Sequence, residues 1–117
     1  MFSLKQSVIA ALTLSAGMVN AFTGNATWYL PNGRVGACGA PLQNVDDVVA
    51  LSSNRYAGGV HCWKHIGVQY KGKFVDVTVG DLCPDCGRNE IDLSWSAFQK
   101  LAPLDDGRIN VTWNFYE

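Results

Sequence analysis

Four cysteines carry the most reactive chemistry in this chain: Cys38, Cys62, Cys83 and Cys86, with His61 next to one of them. Three chemistries suit them. His61, Cys62, Cys83 and Cys86 have the residue types of a zinc site, and Cys83-Pro84-Asp85-Cys86 has a ligand-like spacing. That choice strands Cys38. A C-x-x-C pair can instead exchange thiol for disulfide, but no strand–helix–strand unit of the thioredoxin kind surrounds it. Two structural disulfides use all four residues, in one of three connectivities.

The N-terminus favours the disulfides. Lys5 precedes an uncharged apolar run at residues 8–19 (VIAALTLSAGMV), and Val19-Asn20-Ala21 presents a small residue for cleavage. This is the pattern of a secretory signal peptide, short for a membrane anchor and followed by no charged stop. Residues 1–21 are therefore expected to be a leader, and residues 22–117 one secreted, extracellular domain. Export places the thiols in an oxidising compartment, which selects disulfides over zinc and leaves no metal or other cofactor expected. So short a chain buries a marginal core, and cross-links are useful to it. Two N-x-T sequons, Asn25-Ala26-Thr27 and Asn110-Val111-Thr112, fit secretion. Both fall inside predicted strands, where acceptors are less often exposed.

The 117 residues carry 9 Lys+Arg against 10 Asp+Glu, a formal charge of -1. That balance argues against a nucleic-acid partner and against a polybasic membrane surface. An aromatic fraction of 11% argues against a disordered chain.

The elements that must position these groups are mostly strands. Residues 24–30 (GNATWYL) form the first, closed by the turn signal Pro31-Asn32-Gly33. Residues 48–51 (VVAL) form a short buried strand, and residues 54–59 a polar turn or a single helical turn. Residues 63–70 and 74–81 read as a hairpin across Lys71-Gly72-Lys73, with Val75, Val77 and Val79 at strand period. Residues 94–101 are the one good helix, with Ser94 as N-cap, Trp95, Phe98 and Leu101 on one face, and Pro103 as its stop. Residues 108–116 alternate as a half-buried strand. Many short strands and Gly-rich turns make this an all-β chain, a small closed barrel or sandwich. Trp28, Trp63 and Trp113 are expected in the core. Lys64, Lys71 and Lys73 read as a small basic patch, and His61 and His65 as surface or structural residues.

The hairpin also orders the cysteines. If Tyr70 faces Lys73 or Phe74, Cys62 falls opposite residues 80–82, beside Cys83. Cys62–Cys83 is then the expected pair, leaving Cys38–Cys86.

Three segments in order carry a resemblance: ATWY (residues 26–29) followed by PNG and GACG, then VTVGDLCPDC (residues 77–86), then IDLSWSAF (residues 91–98). Together they resemble the first domain of expansins and the wider barwin and rare-lipoprotein-A-like group. Over nearly all of the mature chain the resemblance implies a six-stranded double-psi β-barrel with one or two short helices. The family's His-Phe-Asp reads Glu90-Ile91-Asp92 here, and no counterpart of the expansins' second, carbohydrate-binding domain follows. The architecture is most similar to the single-domain fungal group called loosenins, which implies secretion and action on cell-wall polysaccharide.

Carried over position by position, the expansin pocket falls on Thr27, Tyr29, Asp81 and Asp92. Two carboxylates, a hydroxyl and a ring can line a sugar groove, because sugar hydroxyls need directional partners and sugar rings an apolar face. Asp92 and Asp81 are the candidate catalytic positions. Thr27 and Tyr29 are candidate substrate contacts, with Trp95 and Tyr56 as stacking platforms. Barwin-like endoglucanases resemble this chain around Asp92, their acid, but their base lies in the first strand, where residues 27–30 (TWYL) hold no carboxylate. A hydrolase needs both groups. An acid just before a helix N-terminus would also tend to lose its proton unless burial reverses the effect. The resemblance therefore implies binding and non-hydrolytic loosening of cellulose, chitin or another β-glycan rather than an enzyme. Two alternatives come with the family. One is a lytic transglycosylase working with a single Asp. The other is a module that binds a secreted or host protein, such as an inhibitor of papain-like cysteine proteases.

Overall fold

A computed structural model describes residues 21–116. The expected leader lies outside the described residues except for Ala21. Six strands close into a barrel: β1 (Phe22–Tyr29), β2 (Val48–Leu51), β3 (His65–Tyr70), β4 (Lys73–Leu82), β5 (Ile91–Ser94) and β6 (Ile109–Phe115). Around the barrel they run β1-β5-β2-β4-β3-β6, and β6 pairs back onto β1. The β1–β5 and β2–β4 pairs are parallel and the others antiparallel. Two short helices sit outside the wall, α1 (Ser53–Tyr56) and α2 (Trp95–Gln99). No helix among the described residues is long and apolar enough to cross a membrane.

Alternation decides what fills the barrel. Val75, Val77 and Val79 of β4 point inward with Val49 and Leu51 of β2, Ile91 and Leu93 of β5, and Ile109, Val111 and Trp113 of β6. Trp113 is fully buried, and its indole N–H donates to the Asn89 carbonyl at 2.9 Å, so the ring carries no orphaned donor into the core. Truncating so large a buried ring costs roughly 3–5 kcal/mol in comparable cores. Trp28 packs against the core from the wall and donates to the Leu104 carbonyl at 3.0 Å.

The hairpin has the expected register, Tyr70 opposite Lys73. Lys71 and Gly72 both have positive φ, 46° and 82°, as the tight two-residue turn that matches strand twist requires. Residues 91–94, to which the sequence assigned no strand, form one, β5, set between β1 and β2. Ser94 still caps the helix, its hydroxyl accepting from the Ala97 N–H, but α2 ends at Gln99.

The expected disulfides are wrong. The bonds are Cys38–Cys62 and Cys83–Cys86. The register argument fails because Cys62 has already left the ladder. Its N–H donates to the Gly59 carbonyl, and Trp63 has a φ of +71°, so the chain turns away from β4 toward Cys38. Cys83 meanwhile follows β2, its N–H donating to the Leu51 carbonyl, and the next residues fold back so that the Cys86 N–H reaches the Cys83 carbonyl. All four cysteines are paired, which leaves no thiolate for zinc; the Cys83–Cys86 bond is also the oxidised form that a C-x-x-C exchange pair would take.

Trp63 is the second correction. It is 44% exposed, not core. It shares parity with His65 and Gly67, whereas Ile66 and Val68 take the inward face. Lys64 and Lys71 lie at opposite ends of β3, about 20 Å apart at strand rise, so the three lysines form no single patch. Asn25 and Asn110 are both exposed, although each lies in a strand, and they are cross-strand partners in the β1–β6 ladder.

Candidate functional site

The site is assembled on the outer face of the wall, where β1, β5, β2 and β4 lie side by side. Inward Ala26 and Trp28 leave Thr27 and Tyr29 on the outer face of β1. Thr27 pairs with Asp92 of β5, flanked by inward Ile91 and Leu93. Ala50 of β2 is the register partner of both Asp92 and Asp81. One row thus runs Thr27, Asp92, Ala50, Asp81, with a methyl group separating the two carboxylates. Two strand spacings put their Cα atoms about 10 Å apart.

Strict alternation would have pointed Asp81 into the core, in line with Val75, Val77 and Val79. A register shift prevents it. Val49 pairs with Val79, but the next β2 residue, Ala50, pairs with Asp81, so Gly80 is the extra residue of a β-bulge. The bulge flips the parity of β4 and brings Asp81 to the face that carries Asp92. Gly80 then presents its carbonyl to the loop over the site, where the Cys38 N–H takes it up at 3.2 Å. The same carbonyl comes so close to Gly36 that a Cβ there would lie 2.5 Å from it. The Cys38–Cys62 bond anchors this loop to the end of β3.

The two carboxylates have different surroundings. Asp81 is saturated. The Tyr29 hydroxyl donates to one oxygen at 3.0 Å, and the backbone N–H groups of Ala37 and Leu82 donate to the other at 2.9 Å each. Asp92 receives one side-chain hydrogen bond, from the Thr27 hydroxyl at 2.8 Å. Burial pushes the Asp92 carboxyl above its usual range. The Thr27 bond works against that shift, the nearby charges of Glu90 and Asp81 add to it, and Arg108 opposes it. Arg108 is itself held by Glu90 at 2.6 Å. The Tyr29 phenol is pushed well above its ordinary value, first by burial and then by Asp81, so it stays a donor. Asp81 thus spends its oxygens on three donors of the protein itself, whereas half-buried Asp92 holds one.

The four residues carried over from the resemblance are therefore adjacent. Tyr29 and Asp81 line a cleft of about 100 Å³ with Pro31, Arg34, Val35 and Leu42. The two proposed platforms are not part of the row. The Tyr56 hydroxyl lies against the Cys38–Cys62 disulfide, 3.6 Å from the Cys62 sulfur. Trp95 is half-buried in the first turn of α2, one residue beyond the partner of Tyr29. Sequence reasoning missed Gly36 and Gly80, whose lack of a side chain lets the loop meet the bulge. The signal for the bulge was an isolated glycine within a strand pattern. A larger hollow, about 830 Å³, opens between the β3–β4 turn and the start of β6 and contains none of the four.

Comparison with known proteins bears out the barrel. Residues 21–113 match a family model described as lytic transglycolase, of the double-psi β-barrel type. The chain is 38% identical to a papain inhibitor of Streptomyces mobaraensis, over 89% of this chain and 82% of that one. The solved Streptomyces papain inhibitor superposes with a TM-score of 0.74, covering 83% of this chain and 94% of that one. A Clavibacter michiganensis expansin, a point mutant solved in complex with cellohexaose, superposes with a TM-score of 0.76 at 28% identity. There the match covers 83% of this chain but only 50% of the expansin chain.

Proposed function

The chain belongs to the lytic-transglycolase family of double-psi β-barrels, and on that premise we propose that it is a secreted protein that binds cell-wall β-glycan at the Asp92 row and loosens it without hydrolysis. The observation that carries this is the inequality of the two carboxylates. Asp81 is spent on three donors inside the protein, and Asp92 is the one acidic group of the row left with a single partner. Asp81, holding three donors of the protein itself, has fewer lone pairs left for the water that two-carboxylate hydrolysis must activate. A row of a hydroxyl, a carboxyl and a phenol beside an open cleft instead suits the hydroxyls of a sugar chain. The expansin bound to cellohexaose supports a polysaccharide ligand of this class.

The test is Asp92→Asn in pull-downs on cellulose, chitin, xylan and peptidoglycan, with reducing-end and anhydro-sugar assays on the same samples. Binding and loosening should fall by about tenfold or more, with neither product formed by the wild type. Anhydro-sugars from the wild type would make the protein a lytic transglycosylase instead. Unchanged binding in the variant would remove the row from the account.

A second reading has its own support. The papain inhibitor is matched over most of its length, unlike the expansin. Exposed Val35, Val45 and Val60 on the loops offer apolar contacts to a protein partner. Stoichiometric inhibition of papain that survives Asp92→Asn would establish this reading in place of the first.

A further inference from the structure

Trp63 is held where a tryptophan is hard to hold. Its φ of +71° lies in the left-handed region, which a bulky side chain rarely enters. The surroundings impose it. The preceding residue is tied to Cys38 by a disulfide, the Trp63 N–H donates to the Val79 carbonyl at 2.8 Å, and the Val79 N–H returns to the Lys64 carbonyl at 2.9 Å. Strain of this kind persists only where the fold over-determines it, and such residues gather at ligand sites. The result is an indole that is 44% exposed, whereas Trp113 is fully buried and Trp28 and Trp95 are half-buried.

The exposed ring borders a groove of about 500 Å³ with Pro41, Leu42, Asp46, Asp76 and Thr78. Asp76 and Thr78 are outer-face residues of β4, the strand that carries Asp81 three residues further on. Leu42 lines both this groove and the cleft of Tyr29 and Asp81. The two therefore lie on the same wall, on either side of one loop, about 10 Å apart along β4. Asp76 is bridged by His65 at 2.9 Å and Asp46 accepts from the Gln43 N–H at 2.9 Å, but each carboxylate has further lone pairs, so the groove pairs an apolar ring face to stack on with acceptors for sugar hydroxyls.

We propose that Trp63 and its groove form a second glycan subsite, which stacks a ring of the same β-linked chain that lies on the Asp92 row. The inference rests on the glycan reading of that row and extends its footprint along β4. The strained backbone fixes the ring in advance, so little side-chain freedom is lost when a sugar settles on it.

The experiment compares wild type, Trp63→Ala, Trp63→Phe, Trp63→Gly and Asp92→Asn in titrations with cellohexaose and chitohexaose, followed by calorimetry, and in pull-downs on the polymers. Trp63→Ala should weaken hexaose binding roughly three- to tenfold, and Trp63→Phe, which keeps a ring, by less. Trp63→Gly separates function from folding. Glycine adopts this φ freely, so the thermal midpoint should hold or rise while hexaose binding weakens as in the alanine variant. Hexaose binding that falls in Asp92→Asn but is unchanged in Trp63→Ala overturns the subsite and leaves the Asp92 row standing. A wild type that binds no glycan overturns both. Loss of papain inhibition in Trp63→Ala, with no glycan effect, also overturns the subsite and assigns the ring to a protein-docking surface.

Discussion

Replacing Thr27 by Val removes one hydrogen bond and little else. Valine matches threonine in shape and suits a strand, so β1 should keep its pairing with Asp92. What disappears is the 2.8 Å bond from the Thr27 hydroxyl to the Asp92 carboxylate. Bonds to charged groups are worth about 1.5–3 kcal/mol. Asp92 keeps some access to water, so about 1 kcal/mol is the expected loss. Losing the bond also raises the Asp92 pKa further, because the Thr27 hydroxyl is what opposes the upward push of burial. Because the folded pKa lies above the unfolded one, the fold holds more protons than the unfolded chain between the two values. Stability therefore falls as pH rises through that window. Below both values Asp92 is neutral in either state and the variant forfeits only a neutral bond. Above both, a charged carboxylate stands without its donor and the full penalty applies. Thermal unfolding of wild type and Thr27→Val, followed from acid to neutral pH, should thus show a gap that widens with pH to about 4–8 °C. A carbon-detected titration of the Asp92 carboxyl should show the upward shift directly. A gap independent of pH, or an Asp92 pKa that falls in the variant, would refute the account of the site as one proton-holding acid tuned by Thr27.

Two further outcomes test the scaffold. Removing Cys38–Cys62 by a double alanine substitution should cost about 3.5 kcal/mol, since the bond closes a loop with a sequence separation of 24; removing Cys83–Cys86, with a separation of 3, should cost about 2 kcal/mol by the same loop-entropy reasoning. Urea unfolding of the two variants reads the difference, and peptide mapping without reduction should recover Cys83 and Cys86 in one bridged segment. Gly36→Ala should destabilise the fold by about 1–3 kcal/mol, because its new methyl would meet the Gly80 carbonyl at 2.5 Å. The loop must then lift from Asp81, so glycan binding should weaken in the same variant; an unaltered melting curve would mean that the loop is not seated on the bulge.

Much of the wall was legible because burial on one face writes a period of two into a strand. Val75, Val77 and Val79, and Ile109, Val111 and Trp113, declare their inward face without help from the rest of the chain. The lysine–glycine turn set the hairpin register for the same local reason. The strand β5 was hidden: four residues beside a helix cap carry too little period, and its partners β1 and β2 are remote in sequence. The cysteines were misjudged because a pairing extrapolated from a ladder holds only while the ladder lasts, and a left-handed Trp63 ends it one residue after Cys62.

The sequence alone determined which residues could do the chemistry: the resemblance named Thr27, Tyr29, Asp81 and Asp92, and alternation placed Thr27 and Tyr29 on one face of β1. Their relation to one another was a tertiary decision. A bulge at Gly80 turned Asp81 outward, closure of the barrel set Asp92 two strands away across Ala50, and the N–H groups of Ala37 and Leu82 engaged one carboxylate and not the other. Side-chain direction along a strand is a local property of the chain. Register, burial and hydrogen-bond supply depend on neighbours that only the closed barrel brings together.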